Sequence, residues 1–495
     1  MNITSVLPNV KLSDVVFYVL IISTILPVWL YEFPAMIDFP QHIAQLSALK
    51  SLVSGNEFYG DLYEINWFTP YIITNLFLLF FTLITSPVIA LKIGITFYLL
   101  SIPLFTGLIA KEIGKQKDIR ILTIPFLYCL PFNWGFIPFL IAVGFSVMWL
   151  YYFIVCDNNP NSLINVIFSF FIIYSHAIAW GLIMVYIFFI CFKDGFNLYL
   201  AKGILKISSP LIFIIIWLIS LKSNASLNMD EELFTYHSVM YRFFSLIGAN
   251  LMGNDKVFGF IKFCIIYYLI RECFVFKLKG NIYAKLSCLS VIIFLILPNR
   301  LVSTGFFSDR LLILLPVFFA LSISEIKSKG KLYLLTSIAV ALSVIPRVNR
   351  VIESNENLNV VYKFEEFIDE RARLIFLSNN NDYSSSDYKI LPEPYFLWIP
   401  QMLVVKKELE IDFNFAYFHP EMVRFSNEVD NNVKNFSSRT RYDYPEVKWE
   451  NYTYYDYVLI RDCSFLENEI SREIPKGSFV IGKTIGCWTL LIRNV

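Results

Sequence analysis

The sequence predicts an all-α polytopic transmembrane bundle of about 10–12 spans, followed by a small α/β extracytoplasmic domain. Three observations lead there. Hydrophobic residues make up 56% of the chain and charged ones only 16%, against about a quarter charged in an ordinary soluble domain. Apolar runs recur from residue 14 to residue 346, with lysines and arginines gathered in short connections between them. Beyond residue 350 the composition turns polar and rich in asparagine and tyrosine. The net charge of +1 offers no basic face for nucleic acid. Eight cysteines lack CxxC or zinc-like spacing, so no metal knuckle or disulfide framework is readable. Six of them (Cys129, Cys156, Cys191, Cys264, Cys273 and Cys288) lie in or beside apolar runs, where a buried thiol is ordinary.

A crossing helix needs roughly 20 mostly apolar residues. The candidate stretches are 14–31, 70–85, 87–110, 119–132, 135–156, 162–175, 177–193, 205–221, 257–275, 284–298, 309–325 and 331–346. The first has one lysine ahead of it, Lys11, and is followed by Tyr31-Glu32-Phe33-Pro34, a poor cleavage site; it reads as a retained helix. Basic connections at 111–120, 193–206, 271–285 and 327–331 mark the cytoplasmic side. His176, residues 222–256 and 299–308, and everything past 347 then face outward. Two full crossings between 70 and 110 would send the basic 111–120 loop outward as well. The 70–85 stretch, short and bounded by Pro70 and Pro87, is therefore read as re-entrant or interfacial.

The segment 32–69 carries the first chemistry. It contains Asp38-Phe39-Pro40-Gln41-His42, then Ile43, Leu46, Leu49 and Val53 at helical spacing, which predicts a helix over 40–53 lying along the membrane surface. Asp38 and His42, four apart, can share one helix face. A carboxylate beside an imidazole suits general-base or metal-assisted transfer. Asp38 with Gln41 also reads as an N-cap with its capping-box partner, and Pro40 fits the first turn. A cap would hold the carboxylate rigid, so the two readings are compatible.

Ionisable residues bordering spans default to functional hypotheses. His176 opens a span and can bind a phosphate or another substrate group, or simply satisfy a backbone group. Arg300, Asp309 and Arg310 flank an outer loop. Arginine suits phosphate because its planar fork donates two parallel hydrogen bonds; the plainer reading is an Asp309–Arg310 pair and a snorkelling Arg300. The stretch 222–256 holds Asp230-Glu231-Glu232, His237 and Arg242, charges that a solvated loop would also carry. Asn224-Ala225-Ser226 matches a glycosylation sequon too short to weigh.

The tail domain, 350–495 beside a transmembrane domain of 1–346, is long enough for one compact unit. An amphipathic helix is expected over 359–373, then strands over 374–377, 455–460, 478–481 and 488–492, with a loop at 382–387. No nucleophile elbow, P-loop or dinucleotide fingerprint appears in it. Trp398, Tyr417, Phe418, His419, Trp449 and the aromatics of 452–457 would line a sugar-binding face or fill a core. Cys463 and Cys487 can bridge if the domain is outside.

Asp38 to His42 after the first span, Asn133-Trp134-Gly135-Phe136, Ser175-His176-Ala177 and Ser308-Asp309-Arg310 follow one another along nearly the whole chain. In that order they resemble a group of bacterial membrane proteins of the glycosyltransferase C superfamily. Each motif is short; their order carries the resemblance. It implies a polyprenyl-phosphate-linked sugar donor and, for Asp38, a general base or a carboxylate holding a divalent metal. The activity expected is transfer of that sugar to a glycan, lipid or protein acceptor at the outer face of the bacterial cytoplasmic (inner) membrane. Asp38, with His42, would activate the acceptor, while Arg300 and Arg310 would stabilise the departing phosphate. Two other classes stay open: a transporter or flippase of a lipid-linked or charged solute, and a non-catalytic subunit of envelope polysaccharide assembly. Transporters tend to carry internal repeats, and no convincing repeat is visible.

Overall fold

The computed structural model describes residues 11–156, 159–193, 195, 197–224, 234–252, 256–276, 279–301, 304–378, 395–412, 415–417, 421–426, 449–463, 465, 474 and 477–494. The predicted loop at 382–387, Asp230-Glu231-Glu232, most of the sequon, and Phe418 and His419 lie outside these residues.

Apolar helices dominate the first two thirds. Among the described residues four are long and apolar enough to cross a membrane: Leu12–Trp29, Pro87–Glu112, Ile137–Val155 and Lys329–Phe367, the last including a closing 3-10 turn. A fifth candidate is the pair Leu198–Ser208 and Leu211–Ile219, bent by 43° at a break that contains Pro210. Shorter apolar helices include Leu163–Ile173, Ala177–Cys191 and Ile282–Ile296. Fewer helices thus qualify by length than the ten to twelve spans expected, because several predicted runs break. The 119–132 stretch is a 3-10 helix, Lys117–Phe126 with Pro125 inside, and then a five-residue helix, Leu130–Trp134. The 309–325 stretch splits into Phe307–Arg310, a 3-10 turn, and Leu315–Ser322 with Pro316 in its first turn. Ile72–Thr82 has 11 residues, or about 16 Å of helix, against a hydrocarbon core of about 30 Å.

The chain divides into two compact units: residues 1–30 with 93–349, and residues 31–92 with 350–387 and 392–495. The boundary is not a single cut near residue 350: the segment after the first helix is compact with the tail. In the first unit, side-chain hydrogen bonds link apolar helices, as suits a bundle whose surroundings supply no water. Trp149 Nε1 donates to Asn165 Oδ1 at 2.8 Å, Trp180 Nε1 to Ser169 Oγ at 2.7 Å, and the Tyr186 and Ser290 hydroxyls meet at 2.7 Å. Many large apolar side chains on these helices are exposed, among them Ile22, Ile167, Phe188, Ile216 and Ile296, as a lipid-facing surface requires.

The second unit holds a five-stranded sheet in the order Phe479–Ile485, Trp488–Arg493, Tyr457–Arg461, Arg373–Ser378, Glu410–Ile411. The first three strands pair antiparallel and the last two pairings are parallel. Alternate residues Ile375 and Leu377, Val458 and Ile460 enter one core with Trp449, Tyr455 and Phe479. Trp449 and Tyr455 are therefore core side chains. Tyr457 is also buried and donates to Asp369 Oδ2 at 2.8 Å. The expected helix over 359–373 differs: the helix from Lys329 ends at Tyr362, a 3-10 turn follows at Glu365–Phe367, and the strand begins at Arg373. Cys463 and Cys487 are joined in a disulfide beside the sheet.

Candidate functional site

In the second unit, Asp38 precedes the helix Phe39–Val53, with Pro40 in its first turn. Ala35, three residues earlier, takes a left-handed φ of 53°, which costs an L-residue about 1–2 kcal/mol and fixes the approach. Asp38 holds the N-cap position, but its side chain makes no cap hydrogen bond to the helix. The capping-box reading gives way for Gln41 too: its Oε1 accepts from Phe415 N at 3.3 Å. The helix also departs from the expected surface helix. Every residue from Phe39 to Leu49 is buried, because the tail's Tyr395–Leu403 and Phe415–Tyr417 turns and the strand Val423–Phe425 pack around it. His42 N donates to the Asp38 carbonyl at 3.0 Å, and the buried His42 ring stands edge-on to Phe415 at 5.3 Å.

The tail brings a residue that no motif announced. Strand Val423–Phe425 pairs antiparallel with Tyr63–Ile65. Just beyond that ladder, Asn66 N donates to the Met422 carbonyl at 2.7 Å and Asn66 Nδ2 to the Glu421 carbonyl at 3.4 Å. Glu421 is buried, with 8% of its surface exposed. Burial, and then the negative charge of Asp38, push its carboxyl up to about 8.

The first unit gathers the other candidates. His176 is the N-cap of helix Ala177–Cys191, and its Nδ1 accepts from Ile178 N at 3.2 Å. A backbone N–H can only donate, so Nδ1 is bare and Nε2 carries the ring proton. Arg310 Nη1 lies 3.4 Å from that Nε2. Its guanidinium lies 3.9 Å from the Phe136 ring centre, and Phe139 stands 5.2 Å from the His176 ring. The Gly135-Phe136 turn places Phe136: Gly135 adopts φ 85° at the C-cap of Leu130–Trp134, a conformation glycine takes without a Cβ penalty. Asp309, fully enclosed, accepts from Ser245 Oγ at 2.6 Å. Arg300 lies half-buried on a short strand pairing with Thr235, and its neighbour Asn299 meets His237 Nε2 at 2.8 Å. Burial lowers the His237 ring's affinity for a proton; Asp309 works against that and Arg242 adds to it. Arg242 is buried rather than solvated, and donates to the Phe294 and Leu295 carbonyls at 3.1 and 2.5 Å. It thus satisfies the C-terminal carbonyls of Ile282–Ile296.

The structure brings His176 and Arg310 together, and draws Asp309 toward Ser245. Among the described residues no three His, Cys, Asp or Glu side chains converge as a metal would need. Among the described residues the groups around Asp38 do not make up such a set, and no step through a metal is derived.

No family model matches the chain, and no curated protein matches it. Among solved structures it is similar to ArnT from Cupriavidus metallidurans in the apo state, with a TM-score of 0.54 and 10% identity over 98% of each chain. The likeness covers nearly the whole chain and shows that it has the ArnT fold.

Proposed function

We propose that this chain transfers a sugar from a polyprenyl-phosphate donor to an acceptor hydroxyl of a glycan, lipid or protein at the outer face of the cytoplasmic membrane. The observation that carries the reading is the His176–Arg310 contact, an imidazole and a guanidinium buried side by side in a membrane bundle of ArnT-like fold. Such a pair suits a phosphate oxygen, which accepts from both. Asp38 takes the acceptor's proton as the acceptor oxygen bonds to the anomeric carbon. The bond from that carbon to the phosphate oxygen breaks, and the phosphate leaves with the electron pair. Arg310 and the His176 Nε2 proton stabilise that charge, and Arg300 adds a third cation to the same unit. The tail is assigned to the extracytoplasmic side, supported by the Cys463–Cys487 disulfide and by the basic connections on the opposite side.

Lipid profiling of a strain lacking the protein tests this. One polyprenyl-linked sugar is expected to accumulate. An unchanged lipid profile would count against the enzyme, and accumulation confined to the inner leaflet would favour a flippase.

A further inference from the structure

We propose that residues 234–244 dock into the hydrocarbon of the surrounding bilayer, as an interfacial element whose outer face fits lipid acyl chains rather than water. The inference goes beyond the transferase reading and needs only the membrane bundle.

The short helix Val239–Phe244 is amphipathic in the sense opposite to that of an aqueous loop. Ser238 Oγ accepts from Tyr241 N at 3.2 Å, which fixes where the helix starts and hence its phase. At about 100° per residue, Val239, Met240, Phe243 and Phe244 share one arc, and Tyr241, Arg242 and Ser245 the other. The apolar arc faces outward: Val239 is 80% exposed and Met240 65%, and Phe243 and Phe244 are exposed as well. The polar arc faces the protein. Arg242 donates to the His237 carbonyl at 3.3 Å and to the Phe294 and Leu295 carbonyls, and Ser245 donates to Asp309. A helix in water does the reverse, hiding its apolar stripe and showing its charges. Polar groups turned inward to protein partners and apolar ones turned outward are what a hydrocarbon surrounding requires.

The neighbours fix the depth. Arg242 ties the segment to the C-terminal end of Ile282–Ile296, where Leu295 and Ile296 are exposed, so the two outward apolar faces adjoin. That continuity with a lipid-facing helix favours lipid as the occupant over a protein partner. Phe234 and Tyr236, exposed on the approach to the helix, extend the face. The apolar helix runs Val239–Gly248, about 15 Å long, half of the roughly 30 Å of hydrocarbon. It is too short to cross and belongs at one edge, where aromatic and amphipathic side chains gather. The Thr235–Arg300 pairing, the His237–Asn299 contact and the Ser245–Asp309 bond join it to the segment that carries Arg310. The docked face thereby anchors that segment at the hydrocarbon edge.

Fluorescence quenching in nanodiscs tests this with the full-length protein, its exposed Cys264 and Cys288 changed to serine. A bimane label is placed on Val239→Cys and, separately, on Met240→Cys. Both side chains project from the surface, so neither substitution opens the core. Ile296→Cys gives the lipid reference and the tail's exposed Lys483→Cys the water reference. Phosphatidylcholine carrying a doxyl group on its acyl chain should quench both labels as strongly as it quenches Ile296→Cys, and iodide should quench them severalfold less than Lys483→Cys. Doxyl quenching no greater than that of Lys483→Cys would overturn the proposal. With strong iodide quenching it would place the face in water. With neither quencher effective it would place the face under protein, such as a second copy of the chain.

Discussion

Arg310 Nη1 and His176 Nε2 lie 3.4 Å apart, within hydrogen-bond reach of each other. The guanidinium, which can only donate, and the imidazole are thus held side by side, a grouping that suits an anionic acceptor. A phosphate oxygen is such an acceptor, and the Phe136 face beneath the guanidinium keeps the fork in place.

Arg310→Ala is therefore expected to weaken binding of polyprenyl phosphate in nanodiscs by about 10- to 100-fold, the loss of one charge-assisted interaction of about 1.5–3 kcal/mol. Arg310→Lys keeps the charge but loses the fork, and should recover only part of it. Unchanged affinity in both variants would remove Arg310 from the phosphate site.

Ser245 supplies a 2.6 Å donor to the buried Asp309 carboxylate. Ser245→Ala should lower stability by about 1–3 kcal/mol, because a buried acceptor loses that donor. Thermal unfolding in detergent reads the loss, and no shift would show that other partners of Asp309 suffice.

Glu421 sets a pH dependence whose sign is fixed. Its folded value, about 8, is raised above the ordinary 4.5. The folded state then holds a proton that the unfolded chain has released. Its contribution to stability is fully present below the ordinary value, declines as pH rises from there to about 8, and is flat above. Measured against Glu421→Gln, the wild type should lose up to about 1.4 kcal/mol per pH unit across that window. Parallel unfolding curves for the two proteins would contradict it.

The Cys463–Cys487 bond should be found intact in non-reduced peptide maps of protein from cells, and inaccessible to a thiol reagent until reduced. Reduction should cost about 2–4 kcal/mol of tail-domain stability. Free, labelled thiols at both positions in cells would place the tail on the reducing side.

Much of this architecture was legible in the chain, and the misses share a cause. Apolar runs such as 135–156 became helices, and the strands near 374, 455, 478 and 488 appeared, because burial period and local turns set them. The runs at 119–132 and 309–325 broke where Pro125 and Pro316 interrupt the helical ladder, a signal present in the sequence but outweighed by hydropathy. His176 was legible as a residue at a helix start, since N-capping is local. Its contact with Arg310 was not, and the ordered motifs supplied both residues without their pairing. Glu421 had no local signature: its burial beside Asp38 exists only once residues 63–66 pair with 421–425. Arg242 likewise looked like a solvated loop charge until the end of Ile282–Ile296 came beside it. Asp38 was legible as the residue that opens the helix, although its side chain makes no cap hydrogen bond.

The most direct measurement is complementation of a deletion strain with wild type and Asp38→Asn at equal membrane levels, scored by the polyprenyl-linked sugar that remains. Wild type should clear the accumulated lipid, and Asp38→Asn should leave it in place while still binding polyprenyl phosphate. Clearance by Asp38→Asn at the wild-type rate would contradict the role given to this carboxylate and, with it, the mechanism.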